Sequence, residues 1–240
     1  MYGAATLMFK HLLDDIHGAF FEDQLVTLNL KSDRYTVYSR EQSCAIADLM
    51  TLGSMSNNGN AGRRMPKGAD LIFKPGFFGS PDRRVQVKSA ELCGVSIPCW
   101  TLRASDLSAF PNPLLVLRAL LLLKKVHRCS KKERIGGLIP LITGALDRRD
   151  LRDAVPTQFD AYVLALNVAS ILYPRRTKCL EWACALILLS AQFGLRSKLV
   201  VGVQNRPFYA HAWVESDGYV VGDDPLRRNQ LAVILEAGSR

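Results

Sequence analysis

The 240-residue chain has only 4 histidines and six cysteines, and neither set is spaced for a structural metal. No two of Cys44, Cys93, Cys99, Cys129, Cys179 and Cys184 form a CxxC pair, and no Cys/His quartet has zinc-finger spacing, so structural zinc is not expected. The N-terminus "MYGAATLMFKHLLDDIHG" lacks a charged segment followed by a clean apolar run. Secretion is therefore not indicated, the thiols are expected to be reduced, and the location expected is cytoplasmic. A membrane-spanning run is missing as well. The most apolar stretch, "PLLVLRALLLL" at 113–123, is too short for a span and is interrupted by Arg118, which reads as a buried or membrane-surface helix, burial being favoured. No GxxxxGKS or GxxxxGKT loop occurs, so no nucleotide cofactor is expected in this chain.

What is present is a basic balance. Lys and Arg number 31 against 22 Asp and Glu, a formal charge of +9, which favours acidic partners. The basic residues fall into separate pairs (Arg63–Arg64, Arg83–Arg84, Arg148–Arg149, Arg175–Arg176, Arg227–Arg228) and form no single stripe. That pattern argues against nucleic acid and reads mostly as solvated surface. An apolar content of 48% suffices for one large domain or two small ones.

The stretch 54–68, "SMSNNGNAGRRMPKG", has turn formers and no apolar period, which marks a flexible connection. Before it, "QLVTLNLKSDRYTVYS" reads as a hairpin, with Leu25, Val26, Leu28 and Leu30 in one strand, Tyr35 and Val37 in the next, and Lys31-Ser32-Asp33 at the turn. "REQSCAIADLMTLG" reads as a helix capped by Ser39 and ended by Gly53. From Leu114 the pattern is helical, with a break expected at Pro140. "TKCLEWACALILLSAQFG" places Leu180, Ala183, Cys184, Ile187, Leu188 and Ala191 on one helical stripe that Leu186 and Leu189 widen, so this helix is expected to be central. Three strands are expected next, at 198–204, 208–215 and 219–223. A helix followed by an antiparallel meander is an α+β arrangement.

Cys179 stands in the first turn of the central helix, with Thr177 expected as its N-cap. Free N–H groups and the positive end of the helix dipole stabilise a thiolate there. Cys184, a turn further in, falls on the apolar stripe and reads as packing. In "FYAHAWVE", alternation puts Tyr209, His211, Trp213 and Glu215 on one face, where the imidazole could serve Cys179 as general acid and base. "GDDP" offers two carboxylates to orient that imidazole. With Asp217-Gly218 as a two-residue turn His211 lies opposite Asp224, and with a three-residue loop opposite Asp223. Helix-start Cys, strand His and next-strand Asp, in that order, are what a papain-like or transglutaminase-like cysteine site requires.

The run "CLEWACALILLSAQFGLRSKLVVGVQNRPFYAHAWVESDGYVVGDDP" resembles the transglutaminase-like leader peptidase of lasso-peptide biosynthesis, the B protein, over about residues 175–236. The resemblance implies Cys179 as nucleophile, His211 as general base and Asp223 as orienting acid, and so the three-residue loop. It implies a transglutaminase/papain-like cysteine peptidase domain at 110–240 that removes the leader of a precursor peptide before a partner cyclase closes a macrolactam. That partner is an asparagine-synthetase-like enzyme through which ATP enters. Residues 1–100 resemble the RiPP recognition element, a small winged-helix-like module, with "LVTLNLKSDRYTVYS" matching its strand-turn-strand. This implies that Leu25, Val26, Leu28 and Tyr35 hold the leader. Two other outcomes share the features: transglutaminase-type acyl transfer to an amine, and a non-catalytic peptide-binding protein. Gln158 is a guess for a second oxyanion donor.

Overall fold

Strand-forming sequence near the N-terminus is answered by a three-stranded antiparallel meander, β2 (Ile16–Phe21), β3 (Gln24–Asn29) and β4 (Arg34–Val37). The strand β2 was not read from the sequence, because "IHGAFF" carries a Gly and a His within a short apolar stretch. The computed structural model describes residues 7–9, 15–55, 85–87, 92–95, 111–147 and 150–238. The flexible connection expected at 54–68 lies, from residue 56 onward, outside the described residues. β1 (Leu7–Phe9) pairs antiparallel with β5 (Val85–Val87).

The chain divides into two compact units. The first comprises 1–94 together with 203–209 and 229–234, and the second comprises 95–202, 210–228 and 235–240. In the first, Asn29 shapes the β3–β4 turn by accepting the Lys31 and Ser32 amides at 3.0 Å each, an Asx turn. The helix α1 (Arg40–Met55) begins with a reciprocal cap: Gln42 N–H donates to Ser39 Oγ at 3.2 Å and Ser39 N–H to Gln42 Oε1 at 3.0 Å. Buried Ser43 accepts the Leu25 amide at 2.9 Å and so fastens α1 to β3. Gln24 is satisfied at both ends of its amide, donating to Tyr38 O at 2.9 Å and accepting from Asn205 Nδ2 at 2.7 Å.

In the second unit α2 (Pro113–Leu146), α3 (Asp160–Leu172) and α4 (Cys179–Ala191) pack on one another. Asn112 caps α2 by accepting the Leu114 amide at 2.9 Å. The expected break at Pro140 occurs instead at Arg134, whose φ of 56° and ψ of −148° are non-helical. Pro140 sits inside the second segment, where it removes one backbone hydrogen bond. From Glu181 to Ala191 every residue of α4 is buried, as the widened apolar stripe requires. Each fully buried leucine or isoleucine there contributes about 1.5–3 kcal/mol of transfer free energy. Gly194, with φ of 78°, ends the helix, and Leu195 N–H returns to Ser190 O at 3.1 Å.

A four-stranded sheet follows in the order β8-β7-β6-β9, from β6 (Lys198–Asn205), β7 (Phe208–Ser216), β8 (Tyr219–Val221) and β9 (Ala232–Ala237). β9 was not among the expected strands. It returns beside β6, so the sheet is more than a three-stranded meander. A short helix, α5 (Arg227–Gln230), stands between β8 and β9. Helices and antiparallel sheets together make the fold α+β.

Candidate active site

Cys179 is the first residue of α4, preceded by extended Lys178 (φ −92°, ψ 161°). The expected Thr177 cap is not used. Its hydroxyl is buried without a hydrogen-bond partner among the described residues. Glu181 does the capping, its Oε2 accepting the Lys178 N–H at 3.2 Å. Glu181 Oε1 also meets His127 Nδ1 of α2 at 3.2 Å, and Arg175 Nη1 lies 2.9 Å from His127 Nε2. An Arg can only donate, so His127 accepts at Nε2 and carries its proton on Nδ1, toward Glu181. Trp182 Nε1 donates to buried Asn167 of α3 at 3.0 Å. The tip of α4 is thus held from both neighbouring helices.

His211 lies on β7 with its ring buried and stacked on Trp213, centroids 6.1 Å apart and planes 21° from parallel. Its Nε2 meets Asp223 Oδ2 at 2.5 Å. The Cys179 sulfur interacts with the same ring and with the Ala212 and Leu180 backbone amides. Since Nε2 is committed to Asp223, the Nδ1 side of the ring is the one available to the thiol. Trp213 Nε1 donates to Glu215 Oε1 at 2.8 Å, which completes a row of three buried side chains at alternate positions of β7.

The carboxylate reaches His211 by a route that strand parity does not describe. Ser216 pairs with Tyr219, so the β7–β8 loop is the two-residue turn Asp217-Gly218, with φ of 49° and 80°, the type I′ form. This corrects the expected three-residue loop. In that register Asp224 would oppose His211 if β8 continued. It does not continue: β8 ends at Val221, and Gly222, with φ of 68°, turns the chain so that Asp223 faces the ring. Only glycine suits that position, because a Cβ there would stand 2.8 Å from Trp182 as well as straining the backbone. Asp224 serves locally instead. Its N–H donates to Asp223 Oδ1 at 2.7 Å and its own Oδ1 accepts the Leu226 amide at 3.0 Å.

The three groups shift one another in the sense acyl chemistry needs. Burial pushes the Cys179 thiol up, but the His211 ring and the Ala212 and Leu180 amides outweigh it, and the net shift is downward. Burial pushes His211 down, but Asp223 and Cys179 outweigh it and raise the imidazole. Asp223 is likewise pushed up by burial and brought below the usual carboxylate range by His211, the Asp224 amide and Arg227. Buried Cys184 is pushed well up and remains a thiol. Both shifts favour the thiolate–imidazolium form over the neutral pair. The rate of Cys179 alkylation by iodoacetamide should rise at a lower pH than for a free cysteine. His211→Ala should move that rise upward, because burial then acts with its main counterweight gone. A thiol pKa higher by about one leaves about tenfold less thiolate at neutral pH. Peptide mapping must separate the signal from Cys44 and Cys93, which are exposed.

The structure thus brings Cys179, His211 and Asp223 together. It places the other four candidate residues in the first unit. Leu25, Val26 and Leu28 are fully buried on β3, the central strand of its sheet. They are core residues of this sheet, whose edges among the described residues are β2 and β4. A polar residue at Val26 would disrupt that core before it tested recognition. Tyr35, on the edge strand β4, is half-buried, its ring 5.6 Å from that of Phe208. Gln158 is exposed on the 3-10 turn Pro156–Phe159. Missed from the sequence were Arg227 and Arg228, read as solvated surface, and Gly222. Only the φ of Gly222 shows its role, and spacing carries no signal for it. Among the described residues no cluster of three or more His, Cys, Asp or Glu is arranged to hold a metal ion, and no helix is long and apolar enough to cross a membrane.

Residues 125–236, the stretch that holds Cys179, His211 and Asp223, match the model of the Transglutaminase-like superfamily. A domain of that class requires no cofactor for its thiol chemistry. Among curated proteins, the Microcin J25-processing protein McjB of Escherichia coli is 39% identical over 61 residues. The aligned stretch is 25% of this chain and spans 29% of the length of McjB. No solved structure matches the chain.

Proposed function

We propose that the chain is a cytoplasmic cysteine peptidase that removes the leader from a lasso-peptide precursor. The observation that carries this reading is the convergence of Cys179, His211 and Asp223 within a transglutaminase-like segment. The name of McjB, a processing protein for a microcin, agrees with it. Cys179 sulfur attacks the carbonyl carbon of the scissile bond, and the first-turn amides of α4 face the developing oxyanion. His211 gives its proton to the leaving amine as the C–N bond breaks. Water, losing a proton to His211, then hydrolyses the thioester and frees the leader carboxylate. The amine released is the one a partner asparagine-synthetase-like cyclase would acylate, and ATP is assigned to that partner.

Residues 1–100 would form a winged-helix-like, leader-binding module and 110–240 the peptidase. The leader would add as a strand along β4, whose residues are mostly exposed and whose outer edge carries no other strand among the described residues.

Mass spectrometry after incubation with a lasso-peptide precursor and its matching cyclase, supplied with ATP, tests the reading. The expected result is a free leader and a core whose masses sum to that of the precursor plus one water while the core is linear, or to that of the precursor itself once the cyclase, closing the macrolactam, has removed one water. A crosslinked product that has lost ammonia would mean acyl transfer to an amine, and an intact precursor that still binds would mean a non-catalytic binding protein.

A further inference from the structure

The charge pair at Arg227 and Arg228 turns inward. Arg227, its side chain 12% exposed, donates from Nε to Asp223 Oδ1 at 2.9 Å. Arg228 donates from Nε and Nη2 to the two oxygens of Glu215 at 2.7 Å each and also pairs with Glu236. We propose that Arg227 is a positioning residue, fixing the rotation of the Asp223 carboxylate so that Oδ2 stays on His211 Nε2. The proposal rests on the reading of Cys179, His211 and Asp223 as the working site.

A carboxylate turns easily about its Cβ–Cγ bond, so the oxygen remote from the histidine must be held. Oδ1 accepts both the Asp224 amide and Arg227 Nε, which occupies it and leaves Oδ2 to the imidazole. The Asp224 amide belongs to the next residue and moves with the loop that carries Asp223. It cannot fix the carboxylate relative to β7. Arg227 can, because its neighbour Arg228 is bound to Glu215, four residues along β7 from His211 on the same face. The contacts close a ring: His211, β7, Glu215, Arg228, Arg227, Asp223 and back to His211. Bidentate guanidinium–carboxylate contacts are the kind that hold orientation as well as charge.

Among the described residues, the charged groups against this ring are Cys179 from α4, the Asp224 carboxylate on Leu226 N–H, Lys198 of β6, 3.6 Å from Glu215, and Glu236 of β9, which pairs with both Arg228 and Lys198. Among them Arg227 has two opposed effects on His211. Its charge repels the imidazolium, so removing the charge alone would raise the His211 pKa. Holding Asp223 in place stabilises the imidazolium, so losing that hold lowers it. The sign of the shift separates the two.

The experiment is a titration of the full chain carrying 13C-labelled histidine, whose 4 ring signals are assigned with His211→Ala. Arg227→Gln should lower the His211 midpoint by roughly one pH unit toward ordinary imidazole. Arg227→Lys, which keeps the charge but not the Nε–H direction, should show a smaller drop and serves in its place if the Gln variant is unfolded by its thermal melt. Lys131→Gln, a cation removed from the exposed face of α2, should leave the midpoint unchanged. An unmoved His211 midpoint in Arg227→Gln would overturn the proposal, and so would an upward one, which would assign Arg227 to charge alone. No substrate enters the titration, so its outcome is independent of whether the peptidase reading survives.

Discussion

Cys179→Ala should abolish leader removal, lowering turnover by at least about four orders of magnitude, while Cys184→Ala leaves most of it. The two thiols stand five residues apart on one helix and differ in what surrounds them. Cys179 sits at the helix tip against an imidazole and two backbone amides, with its pKa lowered. Cys184 is fully buried among apolar side chains, with its thiol pushed up and therefore protonated. Truncating it opens a small cavity and should cost about 1–2 kcal/mol of stability, seen as a lower Tm and not as lost chemistry. The measurement is the initial rate of leader cleavage after melts show both variants folded. Equal loss in the two would remove Cys179 from the role of nucleophile.

Asp223→Asn should lower turnover by about 10²-fold or more, and Asp224→Asn should change it little. An amide at 223 cannot satisfy both of its neighbours. If its oxygen stays toward the Asp224 amide and Arg227, its NH₂ donates to His211 Nε2. The ring proton is then forced onto Nδ1, the side that must take the thiol proton. If it flips, the NH₂ meets the two donors that Oδ1 accepts today. At 224 the group in use is Oδ1, accepting the Leu226 amide, and asparagine keeps that acceptor. Initial rates on the folded variants decide it. A larger loss at 224 than at 223 would mean that the carboxylate facing His211 is not the one that orients it in the working enzyme.

Much of the second unit could be read directly from residue order. The helix with Cys179 at its start, its all-round burial and the strand carrying His211 follow from local period and end signals, which depend on near neighbours in the chain. Ser39 and Gln42 likewise announce the cap that α1 uses. What failed was whatever depended on where a regular pattern stops. Strand parity with the two-residue turn points to Asp224, and it is Asp223 that meets the imidazole. Parity holds only while a strand lasts, and Gly222 ends β8 against the indole of Trp182. Leu25, Val26 and Leu28 look from the sequence like contacts for a ligand, but residues on both faces of β3 are buried and these three are core.

The sequence by itself therefore determined the helix tip bearing the thiol, the strand bearing the imidazole and the three residue types that suit acyl chemistry, because these rest on short-range periodicity and intrinsic chemistry. Only the tertiary structure decided how Asp223 comes to face His211 across a two-residue turn, that Glu181 and not Thr177 caps α4, and that two arginines of apparent surface character close on Asp223 and Glu215. Those outcomes depend on a left-handed glycine, on helix ends meeting distant side chains, and on the burial of charge against charge. All are interactions set by how the chain folds back on itself, for which a linear pattern carries no signal.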